Sequence, residues 1–241
     1  MRKTHETGWR GWRLAATAMI TLVAAPLAAR PALANGTIKG TVRFAGGAVD
    51  DRKVAITIDQ YICGKEKDPE GLVVSADRGI ANAVVYLQKT PPTSKPALPA
   101  SPIQVDQKQC AFVPRVVVVP AGGTVEFLNS DRLLHNLHSR SKNNDSFNKT
   151  QPKGRAIPIV FSRPEIVRID CDLHSWMRAW VVVAAHPFHA VTGERGAFTL
   201  AGVPAGTYTL EVWQETLGVE SRSVTVTDGG TASVVIEMRA K

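Results

Sequence analysis

The chain has 241 residues, 29 Lys+Arg against 21 Asp+Glu, 44% hydrophobic and 6% aromatic residues, and a formal net charge of +8. This composition excludes a wholly disordered chain, a collagen-like repeat and a multi-span membrane protein, and it leaves room for one or two packed cores. The one long apolar stretch lies at the extreme N-terminus.

Residues 1–13 are basic, 14–29 (LAATAMITLVAAPLAA) are apolar, and small residues follow around Ala32-Leu33-Ala34. This is the n-region, h-region and cleavage-site pattern of a secretory signal peptide over 1–34. The short run and Pro26 argue against a retained membrane anchor. Arg10 and Arg13 are not adjacent, so a twin-arginine signal is not supported. Cleavage removes five basic residues and one acid, so 29 becomes 24, 21 becomes 20, and the net charge falls to +4. Half of the apparent basicity is thus targeting sequence, and nucleic-acid binding is not expected. The expected location is the periplasm, with no membrane span after cleavage.

After the signal peptide, helical periodicity is nearly absent. Short Val/Ile/Thr-rich runs dominate: 36–44, 81–87, 114–120, 124–128, 165–169, 179–184, 197–200, 207–213, 221–226 and 232–238. Such runs, separated by turns such as Ala121-Gly122-Gly123 and Gly193-Glu194-Arg195-Gly196, predict an all-β protein built as a β-sandwich. Residues 89–102 are Pro-rich and expected to be extended, and 139–155 read as a polar, basic loop.

An exported chain meets oxidising surroundings, and three cysteines cannot all pair within it. Cys63 (YICGKE) and Cys110 (KQCAF) sit in polar, loop-like settings and are the expected disulfide. Cys171 lies in CDLHSWM, where a C-x2-H-x2-M spacing places a thiolate, an imidazole and a thioether on one tight turn. Thiolate and thioether are soft donors suited to Cu(I), and imidazole also suits Cu(II). A second imidazole is available as His135 in FLNSDRLLHNLHS, which completes the His2Cys set with a weak Met of blue-copper sites.

Two family resemblances follow. Residues 103–185 resemble a cupredoxin (type 1 blue copper) domain of the amicyanin kind, through VVVVPAGGTVEFLNSD, the His135-Asn136 pair, and the Cys-His-Met loop 36 residues later. The resemblance implies a Greek-key β-sandwich with His135, Cys171 and His174 as equatorial copper ligands and Met177 as the axial one. It also implies that Asn136 ties the two ligand loops together by hydrogen bonding. Ser175 departs from the pattern, which has Pro after the loop His. Residues 192–213 (TGERGAFTLAGVPAGTYTLEVW) resemble the later half of a carboxypeptidase regulatory-like, or transthyretin-like, β-sandwich. The opening half of that smaller sandwich is matched far upstream by GTIKGTVRF and IANAVVYL. The expected organisation is therefore a split sandwich, 35–99 plus 186–241, with the cupredoxin domain inserted at 100–185. Two consecutive sandwiches, or one larger one, are the alternatives.

The resemblance implies a periplasmic electron carrier, not an enzyme, that passes single electrons between redox partners such as a c-type cytochrome or a periplasmic dehydrogenase. A copper module for delivery, storage or sensing is the alternative. A Cys171–His174 nucleophile pair lacks an orienting group, and a structural zinc site would want a better fourth ligand than Met177. His138, at an odd offset from His135, is expected to face away from the site. His186 and His189 are expected to pack, as is Trp180. Trp176 is the expected member of an apolar docking patch. The basic residues Arg132, Arg140, Lys142, Lys149, Lys153 and Arg155 read as a solvated loop, or as steering for an acidic partner.

Overall fold

The computed structural model describes residues 35–50, 52–89 and 96–240. The expected signal peptide and part of the Pro-rich segment lie outside the described residues. Among the described residues, no helix is long and apolar enough to cross a membrane.

The strands are β1 (Gly36–Phe44), β2 (Val54–Ala55), β3 (Glu66–Lys67), β4 (Val84–Leu87), β5 (Ile103–Lys108), β6 (Ala111–Val113), β7 (Val116–Pro120), β8 (Gly123–Asn129) and β9 (His135–Ser139). They continue with β10 (Asn148–Gln151), β11 (Ile157–Phe161), β12 (Glu165–Asp170), β13 (Arg178–Ala184), β14 (His189–Val191), β15 (Ala197–Val203), β16 (Gly206–Gln214), β17 (Gly218–Val226) and β18 (Thr231–Met238). One short helix, α1 (Gln60–Cys63), lies between β2 and β3. The protein is all-β, and each of the ten predicted runs contains a strand. The run at 81–87 extends only from Val84, because Asn82 takes a left-handed φ of 59° that breaks the extended chain. The stretch 139–155, read from its polarity as a loop, contains β10 (NKTQ); this edge strand pairs with β9 and has little apolar alternation to show.

Two pairs of sheets enclose two cores. In the first, the sheet β15-β1-β18 faces the sheet β14-β4-β16-β17. In the second, β10-β9-β12-β13-β7 faces β11-β8-β5-β6. β1 pairs in parallel with β18 and antiparallel with β15, so residues from opposite ends of the described chain share one sheet. Alternation explains these faces. In β1, Ile38, Val42 and Phe44 are buried while Lys39 and Arg43 are exposed; in β8, Val125 and Phe127 point inward. Gly196 closes the turn before β15 at φ 75°, and a Cβ there would lie 2.2 Å from the Val42 carbonyl oxygen. That approach leaves no room for a side chain.

The run Val116-Val117-Val118-Val119 does not alternate, for a physical reason. β7 pairs with β13, and both strands are covered on two sides. Val117, Val119, Val181 and Val183 enter the second core. Val116 and Val182 instead pack with Val84 of β4, with Tyr86, Val191 and Trp213 against them. Strands buried on both faces read as continuous apolar runs. Trp180 and Trp213 meet edge to face across this junction, with ring centroids 5.0 Å apart. Arg115 and Glu215 form a buried ion pair there, Nε to Oε1 at 2.6 Å.

Residues 54–67 form a strap. β2 pairs with β3, α1 caps the bend, and Ile56 and Cys63 are buried among the side chains of the second core. Cys63 and Cys110 form the expected disulfide, with Cα atoms 5.2 Å apart, and Cys171 is the free, buried cysteine.

Candidate metal centre

The site lies where β9 begins and β12 ends. These strands are antiparallel neighbours, with Asp170 opposite His138, so the start of one adjoins the end of the other. His135 opens β9, and Cys171 follows β12. The loop to β13 folds back on itself: the Cys171 N–H donates to the Met177 carbonyl at 3.3 Å, and the Met177 N–H to that of His174 at 2.8 Å.

This arrangement brings His135, Cys171 and His174 together. The two Nδ1 atoms are 3.0 Å apart, and the Cys171 sulfur lies 3.9 Å from His135 Nδ1 and 3.6 Å from His174 Nδ1. An ion bound at ~2.0–2.3 Å to nitrogen and sulfur donors would hold them roughly 3.3–3.8 Å apart, close to this spacing. All three side chains are buried. Met177 is buried in the same apolar cluster as Cys171.

The outer edge of each imidazole decides what the inner edge can do. His135 Nε2 lies 2.9 Å from Asp131 Oδ2, and His174 Nε2 lies 3.1 Å from Asp59 Oδ2. A carboxylate only accepts, so an imidazole in its neutral form bonded to one carries its proton on Nε2 and turns its Nδ1 lone pair inward. The Cys171 thiol has one proton to offer two such lone pairs. The converging donors therefore fit a cation that binds imidazole and thiolate, as copper does.

Burial holds the His135 pKa below its ordinary value, against the raising effect of Asp131, which keeps the ring neutral. Burial also pushes the Cys171 thiol up, while the backbone N–H groups of Asn136, His174 and Leu173 pull it down.

The surroundings hold the donors in place. The Asn136 amide donates to Asn148 Oδ1 at 2.7 Å and to Asp172 Oδ2 at 3.1 Å, and its oxygen accepts the Asp172 N–H at 2.6 Å. It thus bridges the two donor-bearing segments. Asp131 also accepts the Gln109 and Cys110 N–H groups at 2.6 and 2.8 Å. His138 points away, its Nδ1 2.8 Å from Asp172 Oδ2.

Trp176 is half-buried; its indole donates to the Cys110 carbonyl at 3.1 Å, and its ring packs edge-on to His174. The more exposed apolar side chains beside the site are Leu134 and Leu173, at 49% and 45%. His186 and His189 bond within their own turn, where the His189 Nδ1 donates to the His186 carbonyl at 3.0 Å. Of the basic residues around 132–155, Arg140 pairs with Asp170 and Asp172, and the others are exposed.

Asp131 and Asp59 are the residues that sequence reasoning missed as parts of the site. Asp131, only four residues before His135, carried a short-range signal that a carboxylate stood near that ligand. Asp59, 115 residues before His174, carried no signal.

A family model described as "Polysaccharide lyase family 4, domain II" matches residues 153–234. No curated protein matches the chain. Among solved structures, amicyanin from Paracoccus versutus aligns at 24% identity over 42% of this chain and 97% of its own, with a TM-score of 0.33. A purple cupredoxin from Nitrosopumilus maritimus aligns at 23% identity over 34% of this chain and 99% of its own, with a TM-score of 0.31. A copper-containing nitrite reductase from Thermus scotoductus SA-01 aligns at 23% identity over 40% of this chain, with a TM-score of 0.34, and only 25% of the reductase is covered.

Proposed function

We propose that this protein binds one copper ion through His135, Cys171 and His174, with Met177 as a weaker fourth ligand, and carries single electrons in the periplasm. The supporting observation is the convergence of two imidazole Nδ1 atoms and one cysteine sulfur, each within 3.9 Å of the others. When bound, copper supplies a one-electron Cu(I)/Cu(II) couple. The residues supply the rest. Asp131 and Asp59 hold the imidazoles in the tautomer that presents Nδ1, and Asn136 keeps the two donor segments in register. The disulfide and the buried packing resist rearrangement when charge changes. In this reading 100–185 is a cupredoxin domain set within a regulatory-like sandwich of 35–99 and 186–241, which acts as scaffold. The partner is a redox protein such as a c-type cytochrome or a periplasmic dehydrogenase.

Titrating metal-free protein with Cu(II) tests the reading. One equivalent should produce an intense visible thiolate-to-copper band and a narrow copper hyperfine pattern, and Cys171→Ala should abolish both while the fold is kept. A band that persists in Cys171→Ala, or no binding by the unaltered protein, would refute it. Reversible voltammetry with the ion retained supports electron carriage. Ready loss of Cu(I) to a chelating acceptor supports delivery instead.

A further inference from the structure

The two imidazoles of the cluster are held alike but by different parts of the chain. His135 is held by Asp131, from the same end of the same sandwich. His174 is held by Asp59, which stands on the strap between β2 and β3. His174 is almost fully buried, whereas the Asp59 side chain keeps 35% of its exposure, so Asp59 closes over the imidazole edge from outside.

The strap is anchored on both flanks of Asp59. On one side Ile56 is buried and its N–H donates to the Lys65 carbonyl at 2.9 Å. On the other, the Cys63 N–H donates to the Asp59 carbonyl at 2.9 Å, and Cys63 is bonded to Cys110. The Cys110 N–H donates to Asp131, so the disulfide ties the strap that carries Asp59 to the β5–β6 turn that Asp131 also holds. Asp59 has φ 51°, in the left-handed region that Asp and Asn tolerate and glycine prefers.

We propose that Asp59 is a positioning residue for His174. By accepting the Nε2 proton it leaves the Nδ1 lone pair free for copper, and the disulfide-tethered strap delivers it from outside the cupredoxin-like stretch. The inference rests on the copper reading of the cluster, and its test separates the two.

Asp59→Gly removes the acceptor at a backbone position where glycine is at ease. Asp59→Asn keeps an acceptor oxygen and the left-handed backbone. In the metal-free protein, ring-nitrogen NMR shifts above the histidine titration range should show His174 as the Nε2–H tautomer in the unaltered protein and in Asp59→Asn, and as a mixture in Asp59→Gly. With a competing chelator, Asp59→Gly should bind Cu(I) about 10–100-fold more weakly, and Asp59→Asn should recover most of that loss. An unchanged tautomer in Asp59→Gly, with affinity within about twofold of the unaltered protein, overturns the proposal. An Asp59→Gly tautomer change in a protein that binds no copper would sink the copper reading and leave the positioning role standing.

Discussion

The sandwich of β5–β13 and the sandwich of β1, β4 and β14–β18 use the same strand alternation, yet they bury different things. Among the described residues, nine of the eleven buried polar side chains lie between residues 103 and 184, and the other sandwich has Thr192 and Gln214. The polar residues of the first form a chain of contacts. The Gln107 amide donates to Gln151 Oε1 at 2.6 Å, Asn129 donates to the Gln151 carbonyl at 2.8 Å, and the Asp131 N–H donates to Asn129 Oδ1 at 3.0 Å. That chain ends on the carboxylate that holds His135. A buried polar group costs about 1–3 kcal/mol if left unpaired, so a core that keeps this many is built around a site. The other sandwich keeps a mainly apolar core.

Four experiments would break or sharpen this contrast. The largest effects are expected at the junction and in the apolar core. Glu215→Ala leaves the buried Arg115 only the longer, 3.5 Å contact to the exposed Glu70 carboxylate and should cost about 3 kcal/mol in urea unfolding. A loss under about 1 kcal/mol would class the pair with exposed ones. Next, Leu210→Ala in the apolar core should cost roughly 2–5 kcal/mol while leaving Cu(I) affinity unchanged. A parallel loss of affinity would mean that the two cores are not separable.

Replacing Cys63 and Cys110 by Ser opens a loop of 47 residues. It should cost roughly 2–4 kcal/mol and also weaken Cu(I) binding, because the strap that carries Asp59 loses its tether. Retained affinity would show that packing of Ile56 alone seats the strap.

The smallest effect is a pH dependence. Burial alone would raise the Glu165 pKa, but the Ser141 hydroxyl, the Lys142 and Asn143 N–H groups and the Asn144 side chain together hold it at about 2, against 4.5 for a free carboxyl. A carboxylate with a depressed folded pKa stabilises above pH 4.5, and that contribution is lost as pH falls from 4.5 towards 2. Glu165→Gln should therefore flatten the acid limb of the stability curve in that window. An identical acid limb in the variant would refute the assignment.

Much of this was legible before any coordinates. The C-x2-H-x2-M spacing and the His135-Asn136 pair pointed to His135, Cys171 and His174, whose donor atoms the structure brings within 3.9 Å of one another, because a hairpin between β12 and β13 confines Cys171 and His174 to one turn. The cysteine pairing was legible because only two of three thiols sat apart from potential ligands. Other features were not. Trp176 looks like a surface aromatic beside a ligand, yet its indole is drawn to the Cys110 carbonyl, a partner 66 residues away. β10 escaped because an edge strand with three exposed residues out of four has no apolar period to read.

By itself the sequence determined the all-β class, ten of the eighteen described strands, the turns and the donor types, since alternation, turn chemistry and ligand spacing act over a few residues. The shorter or more polar strands, β9 with His135 among them, lay outside the ten predicted runs. Only the tertiary structure decided that the four-valine run is covered on both faces, that a strap from upstream packs on the second core, and that Asp59 reaches His174. Those outcomes depend on which distant surfaces meet, and a carboxylate's partner 115 positions away leaves no local mark on the chain.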